Sequence, residues 1–288
     1  MTTTVIRNAG MVVPAQIDTC SEALPRDSFA EAKARGLAWQ IHAAQSVSEF
    51  HEITRRHGYT PIGRLDHLGL LSERSIIGHG IFLDDRPSTT WHTRTDLFRI
   101  AETGITVAYC PTVFARRGIT LKDFGRYRRA GVNMGVGTDI YPHDMLDELR
   151  LVSYLARTQA GDSRTMNSTD LFNAATIGGA RALGRDDIGR FETGCRADIV
   201  LGDMTHPMMR PTHDPVRSPI YAAGDRAIRT VFVDGQKVVD DGRVLTMDYP
   251  AAAAALHEAQ ARVKANVPDM DWDHRSADMI SPLTFPSA

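Results

Sequence analysis

Three polar side chains close apolar, strand-like runs: His42 in Trp-Gln-Ile-His, His79 in Ile-Ile-Gly-His, and Asp139 in Gly-Val-Gly-Thr-Asp. Neutral imidazole and carboxylate are good ligands for a zinc- or iron-type ion. In an α/β barrel such groups stand at the C-terminal rim of the strands, where the chemistry is done. Each also has a plain structural reading. A histidine at a strand end can be satisfied by a backbone carbonyl, and Asp139 can cap the helix expected from Met145. Two consecutive strands that both end in His favour the functional reading, and the five-residue gap before the helix weakens the capping one. A catalytic metal site needs at least three protein ligands, yet none of the 11 histidines forms an H-x-H pair. The three residues therefore read as part of a site.

Other side chains at the same rim extend it. Gln45 lies three residues after His42. Across a strand-to-helix turn, positions i and i+3 can face one pocket. Its amide can orient a substrate or water but cannot carry a proton. His143, in Tyr-Pro-His-Asp just past Asp139, falls on a loop where barrel enzymes bind substrate, and reads as a substrate contact. Cys110, before Pro111 and Thr112, ends its own apolar run and is placed to line the pocket. No basic neighbour in sequence would generate a thiolate there, which argues against a nucleophile. His51, His57 and His67 fall on helical stretches as surface residues, and His206 and His213 in a Pro-rich loop.

The elements that must position these residues alternate. Strands are expected at Gly10–Pro14, Leu37–His42, Ile76–His79, Ile105–Cys110 and Val132–Gly137. Helices are expected at Asp27–Arg35, from Ser46 through Arg56, from Thr60 to Leu71, at Thr95–Glu102, Leu121–Arg129 and Met145–Arg157. Ser46 with Glu49 three residues on is a capping-box pattern. Strands alternating with helices imply βαβ units and a parallel sheet. Five strands precede residue 140, and a closed barrel needs eight. From Gly189 the pattern becomes short strands, with Asp234-Gly235 as a hairpin signal. An Ala-rich helix follows at Ala251–Asn266, then a polar tail expected to wrap the surface. The domain reading is 1–188 for part of the barrel, 189–246 for a partial β-sandwich, and 247–288 for the helix and tail.

Composition sets outer limits. The 288 residues are 42% hydrophobic and 24% charged with a net charge of −2. That balance gives no electrostatic case for nucleic acid or an anionic membrane. Cys20, Cys110 and Cys195 are too scattered for a disulfide framework or a thiolate zinc site. The N-terminus has no signal-peptide core, and no apolar run approaches a membrane span. A cytoplasmic protein acting on a small molecule is the expectation.

Taken in order, His42-Ala-Ala-Gln45, His79-Gly, Cys110-Pro111, Gly137-Thr138-Asp139, Ala174-Ala175-Thr176, Gly178 to Gly184, Gly194 to Val200 and Val231 to Gly235 form a series. It resembles the amidohydrolase superfamily, in the branch of cytosine and guanine deaminases and triazine chlorohydrolases. The resemblance runs from about Val12 to about Asp248. It implies an α/β fold with a (β/α)₈ barrel beside a small β-sandwich, and one divalent metal ion, zinc or iron. It assigns His42 as a metal ligand, His79 to orienting the water or polarising the substrate, and Asp139 as a ligand and proton acceptor. A metal-activated water would then displace amine, ammonia or halide from an electron-poor ring carbon.

Two departures shape the expectation. Where the deaminases have a proton-shuttling Glu, this chain has Gln45. The family's first-strand H-x-H and its first three barrel strands are missing, so the chain corresponds to strands 4–8. The expected function is a metal-dependent hydrolase of carbon–nitrogen or carbon–halogen bonds, incomplete as an isolated chain. The competing reading is a non-catalytic or degenerate partner of a split enzyme. Five barrel strands leave two unpaired edges, so a homo-oligomer or a complementing N-terminal subunit is expected.

Overall fold

A computed structural model describes residues 11–12, 16–223 and 227–285. The chain runs β1 (Met11–Val12), α1 (Ala23–Ala34), β2 (Ala38–Ala43), α2 (Val47–His57), α3 (Pro61–His67) and β3 (Ser75–His79). It continues through α4 (Asp96–Glu102), β4 (Thr106–Tyr109), α5 (Pro111–Ala115), α6 (Phe124–Arg129) and β5 (Asn133–Val136). Then come α7 (Met145–Ala160), α8 (Ser168–Ala175), α9 (Ile177–Ala182), β6 (Ile199–Gly202), α10 (Arg217–Ala222), β7 (Ile228–Val233), β8 (Gln236–Asp240), β9 (Arg243–Val244), α11 (Tyr249–Met270) and α12 (Ala277–Ile280).

The first five strands form one parallel sheet in chain order. Parallel strands buried on both faces read as continuous apolar runs, and every residue of β3 is buried. The register sets His42 opposite Gly78 and Ala43 opposite His79. Helices seal the sheet through one core that includes Trp39, Ile41, Ile53, Ile77, Val107, Tyr109, Leu149 and Val152.

Boundaries differ from expectation for local reasons. α1 starts at Ala23 rather than Asp27; Pro25 lies in the first turn, where a missing N–H breaks no helical bond. α3 stops at His67 rather than Leu71, because Gly69 turns the chain with φ +69°. Of the strand expected at Gly10–Pro14, Met11–Val12 is described and the remainder lies outside the described residues. The short helices α5, α8 and α9 were not expected. α8 begins with a true capping box between Asn167 and Asp170.

The chain after Gly189 builds a second, antiparallel sheet in the order β6-β7-β8-β9. Asp234 and Gly235 both adopt positive φ at its hairpin, which is what the Asp-Gly pair supplies in a tight two-residue turn. No residue in these four strands is buried. α11 extends to Met270, past the expected Asn266. The tail folds back along it, with Lys264 3.0 Å from Asp278 of α12. Among the described residues, no helix is long and apolar enough to cross a membrane.

The loop after β3 is stapled by two buried carboxylates. Asp96 accepts from Thr60 Oγ1 (2.6 Å) and Asp84 N (3.0 Å), while Asp84 accepts from Thr93 Oγ1 and Thr95 N, each at 2.6 Å. Burial, aided by the Asp84 charge, raises the Asp96 carboxyl to about 7. The folded state therefore binds more protons than the unfolded state from about pH 4 to pH 7, and this contribution to stability falls as pH rises through that window. Asp96→Asn keeps polar atoms at both positions and should flatten the slope. Urea unfolding at pH 5 and pH 8 reads this; an unchanged slope would contradict it.

Candidate active site

His42 lies one residue before the end of β2, and His79 is the last residue of β3. Parallel neighbours thus bring both rings to the same end of the sheet, with centroids 4.9 Å apart and planes tilted by 35°. Asp139 follows β5 by three residues, at φ +57°. Its Oδ2 lies 3.9 Å from His79 Nε2. Asp139 does not cap α7, because Asp144 does so, accepting from the backbone N–H groups of Leu146 and Asp147. Phe114, on the short α5, packs edge-on to His79 with centroids 4.6 Å apart. That contact leaves no trace in the sequence, since the residues are distant and belong to different elements.

Electrostatics assign His79 a neutral ring. Burial, reinforced by His42 and opposed by Asp139, lowers its pKa to about 4. The 3.9 Å approach to Asp139 is therefore not an ion pair near neutral pH. His79 is 2% exposed, and its Nδ1 is buried with no hydrogen-bond partner among the described residues.

The remaining candidates divide. Cys110 is buried at the end of β4, and Gly137 is so close that a Cβ there would lie 3.1 Å from its Sγ. Burial, then the Asp139 and Glu148 charges, pushes its thiol up to about 12, which keeps it protonated. His143 is exposed on the Asp139 loop, with Nδ1 3.0 Å from Thr138 Oγ1. Gln45 is half-buried in the turn after β2, and its fixed atom is the backbone nitrogen, which donates to Glu49 Oε2 at 2.8 Å.

Glu49 departs from the expected capping box. Ser46 does cap α2, accepting from Glu49 N at 3.0 Å. The Glu49 carboxylate instead accepts from Ala44 N (2.6 Å) and Gln45 N. Burial raises its pKa to about 7 against those backbone donors.

Space around His42 is tight. A Cβ on Gly78 would lie 2.6 Å from His42 Cδ2, so Gly78→Ala must displace the ring. A misplacement of about 1 Å costs on the order of 100-fold in rate. In a metal-loaded, active assembly, turnover down by about that factor, with an unfolding midpoint that shows a folded protein, is the expected result; near-normal turnover would show that His42 need not hold this position.

Comparison with known proteins identifies the family. A family model for the amidohydrolase family matches residues 4–238. The chain belongs to that family. Among related amidohydrolases, a 5-methylthioadenosine/S-adenosylhomocysteine deaminase of Natronomonas pharaonis is 31% identical over 253 residues, covering 86% of this chain and 56% of that protein. A 5'-deoxyadenosine deaminase of Methanothermobacter thermautotrophicus is 31% identical over 247 residues, covering 82% and 56%. The zinc-bound structure of an adenosine deaminase from Xanthomonas campestris superposes with a TM-score of 0.80 at 28% identity, over 88% of this chain and 57% of that one. An atrazine chlorohydrolase of Arthrobacter aurescens TC1, complexed with zinc, shares the fold with a TM-score of 0.75 at 23% identity, over 85% and 53%. The chain spans about half the length of the relatives it matches.

The donors test a metal's fit directly. His42 and Asp139 are of the right chemical type, and His79 Nδ1 is a buried orphan. Among the described residues, however, no three His, Cys, Asp or Glu side chains are grouped to hold a metal ion. The kind of donor fits; the number falls short of a catalytic site.

Proposed function

We propose that this chain carries part of the active site of a metal-dependent amidohydrolase that hydrolyses a carbon–nitrogen bond of a small heterocycle, in the class of adenine nucleosides. The convergence of His42, His79 and Asp139 at one end of the parallel sheet supports it. In this reading the sheet is part of a (β/α) barrel over 1–188, the antiparallel strands are part of a β-sandwich over 189–246, and 247–288 is an appended helix and tail. The names of the relatives favour deamination over halide displacement.

His42 and Asp139 are two ligands of one divalent ion, zinc or iron. In this reading the remaining donors come from outside the described residues, on this chain or on a second polypeptide. A bound ion supplies a water activated near neutral pH. Asp139 accepts the proton of that water, at a carboxylate one-third exposed. His79, neutral and held by Phe114, orients the water or polarises the ring nitrogen of the substrate. Gln45 cannot move a proton and orients substrate through its amide. Cys110 and His143 contact the substrate.

Zinc titration of the purified chain, alone and with candidate complementing polypeptides, tests the reading alongside ammonia release from 5'-deoxyadenosine. Zinc binding and turnover should appear together on complementation and vanish with His42→Ala. Turnover unaffected by that change would favour a non-catalytic partner, the reading that Gln45 otherwise suggests.

A further inference from the structure

We infer that Glu49 is a positioning residue of this site: its carboxylate holds the turn after His42 in the one shape that also fixes the loop after His79. The inference rests on the proposed roles of the two histidines.

Glu49 is 1% exposed. Both of its oxygens face backbone donors, Oε1 to Ala44 N at 2.6 Å and Oε2 to Gln45 N at 2.8 Å. Among the described residues, no Lys or Arg pairs with it in an ion pair. A capping glutamate would reach back to the cap residue's own N–H. Glu49 extends its hydrogen bonds to the two residues before Ser46, while the Ser46 N–H also faces the carboxylate.

The turn it reaches is unusual. Ala44 has φ +56°, a left-handed conformation that crowds the Cβ and needs support from its surroundings. The carboxylate supplies that support on the nitrogen side. On the other side, Ala44 O accepts from both Ile81 N and Phe82 N, each at 2.7 Å, and Ala43 O accepts from Gly80 N at 3.2 Å. Tyr127 Oη donates to Gly80 O at 2.6 Å and locks the far end. One buried carboxylate therefore ties the His42–Gln45 turn to the residues that follow His79. If Ala44 leaves its left-handed shape, its carbonyl turns away from Ile81 and Phe82, and the spacing of the two rings loosens.

Amide hydrogen exchange and ring ¹⁵N signals of the labelled chain test this. Neither readout needs metal or substrate, so its failure is distinct from failure of the amidohydrolase reading. In Glu49→Gln a single amide oxygen remains as acceptor and an NH₂ group faces the other donor. Exchange at Ile81 and Phe82 should quicken at least tenfold, while Val107 and Met134 stay within about twofold of the parent and certify the fold. The ring signals of His42 and His79 should move with the loop amides. Adding Ala44→Gly, which takes positive φ without a steric penalty, should restore most of the protection and the ring signals. Normal exchange at Ile81 and Phe82 in folded Glu49→Gln would overturn the inference. If Glu49→Gln does not fold, recovery of folding by the second change supports it, and a double variant that still fails to fold overturns it.

Discussion

Asp139→Asn should lower turnover of the metal-loaded, active protein by about 1,000-fold, the middle of the range for removing a positioned proton acceptor. The substitution keeps the shape and removes the charge, both as proton acceptor and as proposed metal ligand. Asn has nearly the same shape and tolerates the left-handed backbone that Asp139 adopts at φ +57°. Asp139 does not cap α7, since Asp144 does, and its side chain is one-third exposed. The fold should accordingly change by no more than about 0.5 kcal/mol. Steady-state kinetics with a denaturation curve separates the two effects. Turnover within tenfold of the parent would remove Asp139 from the chemistry, and a large drop in stability would recast it as a structural residue.

Gly178→Ala should be strongly destabilising. α9 lies against β5 so closely that a Cβ on Gly178 would meet Met134 O at 2.3 Å and Asn173 O at 3.2 Å. Both obstacles are backbone, so no side chain can swing aside. Asn133 Nδ2 donates to Gly178 O at 3.0 Å and to Thr106 Oγ1 at 2.8 Å, which fixes the helix against the strands. Alanine gains about 1 kcal/mol in helix propensity, but overpacking costs about 3 kcal/mol or more, so the clash wins. A loss of about 2 kcal/mol lowers the midpoint by roughly 4–8 °C in a domain of this size. The next residue is the control. Nothing lies within 4 Å of a Cβ on Gly179, so Gly179→Ala should be neutral or stabilising by up to about 1 kcal/mol. Equal effects at the two positions would contradict the close packing of α9 on β5.

Much of this was legible from residues alone because buried parallel strands advertise themselves. Ile76-Ile77-Gly78-His79 and Val132 to Gly137 are short apolar runs with a polar or turning end, and they became β3 and β5. His42, His79 and Asp139 could be nominated together because each closes such a run, and alternating helices bring those ends to one side. Other features were hidden for physical reasons. Glu49 carries the ordinary signal of a capping box, and only the left-handed turn at Ala44 shows where its carboxylate goes. Phe114 sits on a five-residue helix too short to show periodicity. α8 and α9 lack a long amphipathic pattern, and α9 packs through Gly178 and Ala180 rather than through bulky side chains. Donors beyond the proposed ligands His42 and Asp139 could not be found in either way, since no three His, Cys, Asp or Glu side chains are grouped to hold an ion among the described residues.

The antiparallel sheet has one further consequence. Its four strands bury no residue, whereas β2 and β3 are almost wholly enclosed. Cooperative melting requires elements to share a core, and strands that share little can open separately at small cost. Heating the chain therefore tests two structures of unequal strength, and a single melting temperature averages them. A protease should find the β6–β9 region first, and a resistant core that retains His42, His79 and Asp139 marks the part of the molecule in which those three residues keep one another's company.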